Sequence, residues 1–129
     1  MIGFGQLTYV PDSAFEAILE SILVGNGIAN DDSVSTNSIR TLTQLNLVGL
    51  GIFDLTGIEY FDSLQILECS DNHLTTLDIN SNTVLTYLDC KNNQLISLDV
   101  NTALTYLNCN NNQLITLDVS MNTALIYLH

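Results

Sequence analysis

Leucine positions in the second half of the chain follow one repeated pattern, L-x-x-L-x-C-x-x-N-x-L. Copies begin at Leu64, Leu85 and Leu104, and a further copy opens at Leu125. A diverged copy begins at Leu42, ahead of the regular ones. A nearly fixed period of about 20 residues is typical of a solenoid, in which each copy forms one coil and stacks on the next. We therefore predict an α/β solenoid that is mainly β, with a short strand in each coil.

Alternation along each predicted strand separates inward from outward side chains. The leucine and cysteine at the fourth and sixth places of the pattern point inward, so the residues that flank them point outward. In stacked coils, equivalent residues form rows on strands about 4.8 Å apart. Three outward rows result, namely Gln44, Ile66, Tyr87, Tyr106 and Tyr127; Asn46, Glu68, Asp89, Asn108 and His129; and Val48, Ser70, Lys91 and Asn110.

From these rows we select a candidate ligand face, consisting of Ile66, Tyr87, Tyr106, Tyr127, Glu68, Asp89, Asn108 and Lys91. The tyrosine row has two compatible interpretations. It either stabilises the sheet by stacking along its own row, or supplies ligand contacts, since tyrosine offers a large rigid area with a polar tip. Lys91 is the only cation in the three rows, and an ordinary ion pair with a neighbouring carboxylate is its favoured interpretation.

Each regular repeat contains a second, similar half. In the copy from Leu104, L-T-Y-L-N-C-N-N-N-Q is followed by L-I-T-L-D-V-S-M-N-T-A. Both halves predict a short strand, so sheets are expected on two sides of the coil. The asparagine at the ninth place lies where the chain turns, and its amide can hydrogen-bond the backbone of neighbouring coils. These residues are Asn72, Asn93 and Asn112 in the first halves, and Asn82, Asn101 and Asn122 in the second halves. The copy from Leu85 lacks two residues in its second turn, so we expect the second sheet to be pinched near Asn101.

An amphipathic helix is predicted before the repeats. Residues 11–12 begin it, and Ser13 with Glu16 has the spacing of a capping box. Gly25 or Gly27 is expected to end it. An apolar stripe follows the helical spacing, formed by Phe15, Ile18, Leu19 and Ile22. Because the first coil of a solenoid has an open apolar end, we interpret this helix as its cap.

The chain is expected to form one structural domain with two parts. Residues 1–37 hold an extended lead-in, the capping helix and a polar loop, which spans residues 26–37. Acidic and amide residues at 30–32 lack the spacing of an EF-hand, so we favour a solvated loop over a calcium site. Residues 38–129 hold the solenoid, with about four coils plus a truncated fifth. Because the last copy stops inside its pattern, a longer parent protein is expected.

The three cysteines, Cys69, Cys90 and Cys109, take the same place in successive copies, so a whole repeat separates each from the next. Metal sites use shorter spacings such as C-x2-C. We therefore favour small apolar fillers in the core. A disulfide and a metal-binding or reactive role are the alternatives.

A row of aspartates, Asp78, Asp99 and Asp118, is predicted on the second side of the coils, beside Thr76, Ser97 and Thr116. Like charges at strand spacing repel one another unless hydrogen bonds or a cation compensate. We favour hydroxyl and backbone donors as the compensation. A bridging calcium ion is the alternative, because carboxylate oxygens suit hard cations.

Charge restricts the partners. Two basic residues, Arg40 and Lys91, stand against fourteen acidic ones, which gives a formal net charge of −12. This charge repels phosphate backbones, so we expect no nucleic-acid partner, and anionic membrane surfaces are disfavoured. No apolar run reaches the roughly 18 to 20 residues that cross a bilayer, so membrane insertion is not expected. The first ten residues lack the basic segment of a signal peptide.

The repeated motif is the leucine-rich-repeat signature, with cysteine in place of the usual leucine. The sequence resembles bacterial leucine-rich-repeat proteins whose nested repeats are about 21 residues long. The segments Y-V-P-D-S-A-F-E-A-I-L and G-I-F-D-L-T-G-I-E-Y-F are similar to the amino-terminal cap and first repeat of secreted or cell-surface members. The resemblance covers about residues 9–129. It implies a right-handed coil with a parallel sheet, a role in binding or adhesion, and a secreted or cell-surface location.

We therefore predict a non-catalytic recognition module that binds a protein, with a glycan as the alternative ligand, through the exposed sheet face. A structural spacer or adhesin stalk is the alternative function. No cofactor is expected, and His73 and His129 lie outside any hydrolase or metalloprotease motif. The open coil at 125–128 predicts end-to-end self-association, since it would expose a strand edge and apolar side chains.

Overall fold

Stacked coils form the body of the molecule, and a helix with a small two-stranded sheet closes their amino-terminal end. A computed structural model describes residues 5–22 and 24–129. The elements are β1 (Leu7–Tyr9), α1 (Ser13–Ser21), β2 (Ser33–Ser35), α2 (Thr36–Ile39), β3 (Gln44–Asn46), a 3-10 helix (Ile58–Tyr60), β4 (Ile66–Glu68), β5 (Tyr87–Asp89), β6 (Tyr106–Asn108) and β7 (Tyr127–Leu128). None of the helices in these two ranges has the length and apolarity needed to cross a bilayer.

Strands β3 to β7 form one parallel sheet in chain order, which confirms the predicted solenoid. The leucines at the fourth place of the pattern are register partners and are buried, namely Leu45, Leu67, Leu88 and Leu107. The sheet also builds the first outward row as predicted, from Gln44 through Ile66, Tyr87 and Tyr106 to Tyr127. Burial of one leucine per coil against the next therefore fixes which side chains face outward.

An asparagine ladder follows the sheet where the chain turns, as the sequence predicted. Asn93 shows the arrangement. Its Nδ2 donates to the carbonyl of Cys69 at 2.9 Å and to that of Cys90 at 3.0 Å. Its Oδ1 accepts from the backbone N–H of Leu74 at 3.0 Å. The asparagines of the other two copies make the equivalent bonds, so each coil is tied to the one before it.

The second side of the coils differs from the prediction. Among the described residues it holds one isolated bridge, between Asp78 and Asp99, so the expected second sheet is wrong. The coil lengths explain this result. Four positions separate Asp78 from Asn82, whereas two separate Asp99 from Asn101, and unequal turns interrupt the register. Side-chain amides link this side instead, because Asn101 donates to the carbonyl of Asn82 and Asn122 to that of Asn101.

Asp12, and not Ser13, caps helix α1. Its Oδ1 accepts from two backbone N–H groups of the first turn, both at 3.0 Å, as an N-cap carboxylate does. The predicted capping box of Ser13 and Glu16 is therefore wrong. Glu16 is instead buried, and its Oε1 accepts from the backbone N–H of Asp31 at 3.0 Å. This carboxylate ties the helix to the segment that follows it.

Helix α1 covers the apolar end of the first coil. Phe15 and Leu19 are fully buried, and the Phe15 ring stacks on Phe61 with the centroids 6.1 Å apart. The helix ends at Ser21, before either glycine expected to end it, and Ile22 is exposed. The capping role of the helix is thus confirmed, with a shorter apolar stripe than the sequence predicted.

Strands β1 and β2 form an antiparallel pair beside α1. Strand β2 and the start of α2 fall within residues 26–37, so the polar loop predicted there is wrong for its last five residues. Val34 at the centre of β2 is fully buried, and the hydroxyls of Thr8 and Thr36 hydrogen-bond at 2.7 Å. The amino-terminal segment therefore adds a second layer to the cap.

Candidate functional site

The outward side chains of the parallel sheet form the candidate site, which we call the outer sheet face. Its members are the eight residues selected above, Ile66, Tyr87, Tyr106, Tyr127, Glu68, Asp89, Asn108 and Lys91. Strand register brings the first seven together in two adjacent rows. All members are partly buried except Tyr127, which is 57% exposed because its strand lies at the edge of the sheet.

The tyrosine row is stacked. The rings of Tyr87 and Tyr106 lie 4.2 Å apart between centroids and within 6° of parallel. Tyr127 continues the row at 6.0 Å with a 48° tilt, and the His129 ring lies 6.4 Å from Tyr106. The stack supports the sheet along its own row, and it also holds two aromatic rings in a fixed position on the surface.

The Tyr87 phenol stays protonated well above neutral pH. Loss of solvation raises the pKa of Tyr87 to about 12, and the neighbouring Tyr106 phenol acts in the same direction. The negative charges of Asp89 and Glu68 also raise this pKa. Tyr87 therefore presents a neutral hydroxyl group beside two carboxylates.

An acidic row lies next to the tyrosines. Glu68 and Asp89 are register partners on adjacent strands, and Asn108 follows in the same row. Lys91 Nζ lies 3.9 Å from Asp89 Oδ2, which is the ion pair favoured from the sequence. The backbone N–H of Lys91 also donates to Asp89 Oδ1 at 3.2 Å. The third predicted row is interrupted, because Ser70 is only 3% exposed.

The cysteines form the predicted inward row, and all three thiols are free, so the disulfide alternative is wrong. Cys69 and Cys90 are fully buried, which makes them core fillers. Burial raises the pKa of both thiols, so neither is a reactive thiolate. Cys109 is half-buried, its pKa is raised for the same reason, and its Sγ lies 3.3 Å from the carbonyl oxygen of His129.

On the second side, backbone N–H groups compensate the negative charge of the aspartates in two coils. Asp78 Oδ1 accepts from the N–H of Asn80, and Asp118 Oδ1 from that of Ser120, both at 2.9 Å. The hydrogen bonds with Ser120 hold the pKa of Asp118 below its usual range. Within residues 5–22 and 24–129, no three His, Cys, Asp or Glu side chains are grouped to hold a metal ion. The geometry therefore gives no support to the calcium alternative.

A depression of about 400 Å³ on the second side was missed by the sequence analysis. Its lining includes Asn80 and Met121 from the two longer turns and Asp99 from the shorter turn between them. The two-residue shortfall after Asp99 was the available signal, since a shorter turn between longer ones leaves space.

The coil period, the parallel register and the asparagine ladder define a leucine-rich-repeat solenoid. The chain resembles the internalins of Listeria monocytogenes, which are leucine-rich-repeat proteins and are its homologues. No protein-family model matches the chain.

Three matches describe this similarity. The chain is 48% identical to Internalin J of L. monocytogenes over 52 residues, which are 40% of the chain and 6% of that protein. A solved structure, the functional domain of InlJ from L. monocytogenes, which includes a cysteine ladder, superposes with a TM-score of 0.83 at 40% identity. The match covers 99% of this chain and 29% of that one. The internalin InlF of L. monocytogenes shares the fold, with a TM-score of 0.69 at 22% identity over 93% of this chain and 43% of InlF. The chain thus spans less than a third of the InlJ domain.

Proposed function

We propose that the chain is a non-catalytic recognition module that binds a protein through the outer sheet face. The stacked pair of Tyr87 and Tyr106 is the observation that carries this proposal. Resemblance to internalins supports a role in protein interaction and a secreted or cell-surface location. A glycan is the alternative ligand, since tyrosine rings and neighbouring amides also suit sugars.

Pre-ordered aromatic rings lower the entropy lost on binding. A side chain that is already fixed loses less rotamer freedom when a partner docks. The stack fixes Tyr87 and Tyr106 before any partner arrives, and their ring edges lie on a partly exposed face. Rigid tyrosines of this kind are common anchors at binding surfaces.

The double variant Tyr87→Ala/Tyr106→Ala tests the proposal. A protein captured by the immobilised chain would be identified, purified and titrated by calorimetry. We expect the double variant to weaken binding at least about a hundredfold, because two anchors of about 2 kcal/mol each are lost. The control is Tyr60→Ala, since Tyr60 is exposed but lies on the 3-10 helix, away from this face. Unchanged affinity in a double variant with native circular dichroism would refute the proposed face.

A spacer or adhesin stalk is the second candidate, and the same stack favours it. If the tyrosines only stabilise the sheet, the double variant lowers stability without any partner being involved. The two functions differ in one respect. A spacer has no saturable partner, whereas a recognition module has one and loses it with the tyrosines.

We also propose that residues 1–129, taken by themselves, associate end to end through their last coil. Ile126, Tyr127 and Leu128 are 75%, 57% and 47% exposed, and β7 is an edge strand. An exposed apolar edge is a template for pairing with another strand. Sedimentation velocity should show a rising mean mass with concentration, and a strictly monomeric chain at high concentration would contradict this.

A further inference from the structure

We propose that the outer sheet face takes an arginine-bearing segment of its protein partner, with one guanidinium placed between Glu68 and Asp89. This inference rests on the proposed recognition function and names the chemistry of the partner. Charge complementarity carries it, together with the position of the aromatic row.

Glu68 and Asp89 form a like-charge pair that the chain compensates incompletely. They are register partners on neighbouring parallel strands, so their Cα atoms lie about 4.8 Å apart. Like charges directly opposite one another destabilise a sheet. Lys91 approaches Asp89 at 3.9 Å, but Glu68 makes neither an ion pair nor a side-chain hydrogen bond within the described residues.

The chain has few cations of its own to supply. It contains two basic residues, and Arg40 is engaged with Asp62, with Nε 2.6 Å from Oδ2. The net charge of −12 attracts a basic partner and speeds its approach. A guanidinium from outside would therefore turn the repulsion between two carboxylates into two charge-assisted hydrogen bonds.

The aromatic row favours arginine over lysine. Tyr87 and Asp89 face outward from the same strand, two residues and about 6.6 Å apart. A planar guanidinium that binds the carboxylates can contact a tyrosine ring at this spacing, and it donates to two carboxylates at once. A lysine ammonium is a compact point charge and lacks this planar geometry.

A nuclear magnetic resonance titration tests the inference with a defined probe, the uncharged-capped peptide Gly-Ser-Arg-Gly-Ser-Arg-Gly-Ser. We expect saturable shifts centred on Glu68, Tyr87 and Asp89 in the folded chain. The variant Glu68→Gln/Asp89→Asn should weaken binding about tenfold, because two ion pairs are lost. Asn at 89 keeps the acceptor for the Lys91 N–H, so the turn is preserved.

The matched control is Asp78→Asn/Asp118→Asn, which also removes two negative charges, but from the second side of the coils. It should leave the affinity within about twofold, and the lysine analogue of the peptide should bind the wild type about threefold more weakly. If both double variants lost the same affinity for the peptide, overall charge alone would explain the binding, and the inference would be overturned. Equal binding of a glutamate analogue would overturn it as well.

The inference can fail while the recognition function stands. If Tyr87→Ala/Tyr106→Ala abolishes binding of the purified partner but Glu68→Gln/Asp89→Asn leaves that affinity unchanged, the face is right and the arginine chemistry is wrong. If neither variant changes the affinity, the outer sheet face itself is wrong.

Discussion

Replacement of Asn93 by alanine should show how much one amide of the ladder contributes to the solenoid. The structure allows the loss to be worked out group by group. Asn93 Nδ2 donates to the carbonyls of Cys69, Cys90 and Lys91, and each of these oxygens also accepts from another donor. The buried N–H of Leu74, in contrast, has Asn93 Oδ1 as its acceptor and would lose it.

One orphaned buried donor costs about 1 to 3 kcal/mol. Three further bonds to oxygens that keep a partner add roughly 0.5 kcal/mol each at the low end of the usual range. We therefore expect Asn93→Ala to lower the free energy of unfolding by about 3 kcal/mol. Asn93→Asp should be worse at neutral pH, because a carboxylate cannot donate and would face three carbonyl oxygens. Acid should narrow the difference in stability between the two variants, since protonation of the introduced carboxylate removes the buried charge.

Urea unfolding followed by circular dichroism measures these losses as a shift in midpoint at unchanged m value. The control is Gln94→Ala, an exposed amide next in the chain, which should change stability by less than about 0.5 kcal/mol. If Asn93→Ala lowered the free energy of unfolding by less than about 1 kcal/mol, the contribution assigned to this amide would be refuted. Equal stability of the Ala and Asp variants at neutral pH would refute it too.

Two further expectations concern the core thiols and the stacked tyrosines. Iodoacetamide should modify only Cys109 in the folded chain, and all three cysteines in urea, because Cys69 and Cys90 are fully buried. Fast native labelling of either buried thiol, checked by mass spectrometry, would contradict this. Tyr87 ionises near its raised pKa of about 12 when folded, and near 10 when unfolded. The folded state therefore holds the extra proton between these values, so stability falls as pH rises through them. Phenolate absorbance should show this late ionisation, and Tyr106→Phe should bring it to lower pH.

Much of the solenoid could be predicted because one physical rule is repeated. A buried leucine at the same place in every coil fixes both the strand and its register, so the rows through Tyr87 and Glu68 followed directly. The turn asparagines were predictable for a similar reason. A polar residue that recurs beside an apolar pattern has a recurring backbone partner, and the ladder at Asn93 shows one.

The errors lie where a single local contact decides the structure. Either Asp12 or Ser13 can cap a helix, and the choice of Asp12 depends on the backbone entering it. Strands β1 and β2 are short and pair across a long stretch of chain that includes α1, so no periodicity reveals them. The prediction of a second sheet is wrong at Asp99. The second halves of the repeats are similar in sequence there, but the turn after Asp99 is two residues shorter than the others.

The asparagine ladder has a consequence for how such a molecule changes in length. Each amide reaches its own coil and the one before it, so every junction is local. Insertion of a whole additional coil would widen the outer sheet face by about 4.8 Å and leave the other junctions unaltered. A shortfall of two residues, as in the copy from Leu85, is absorbed on the far side and does not disturb the tyrosines. Gene duplication can therefore resize this surface in fixed increments.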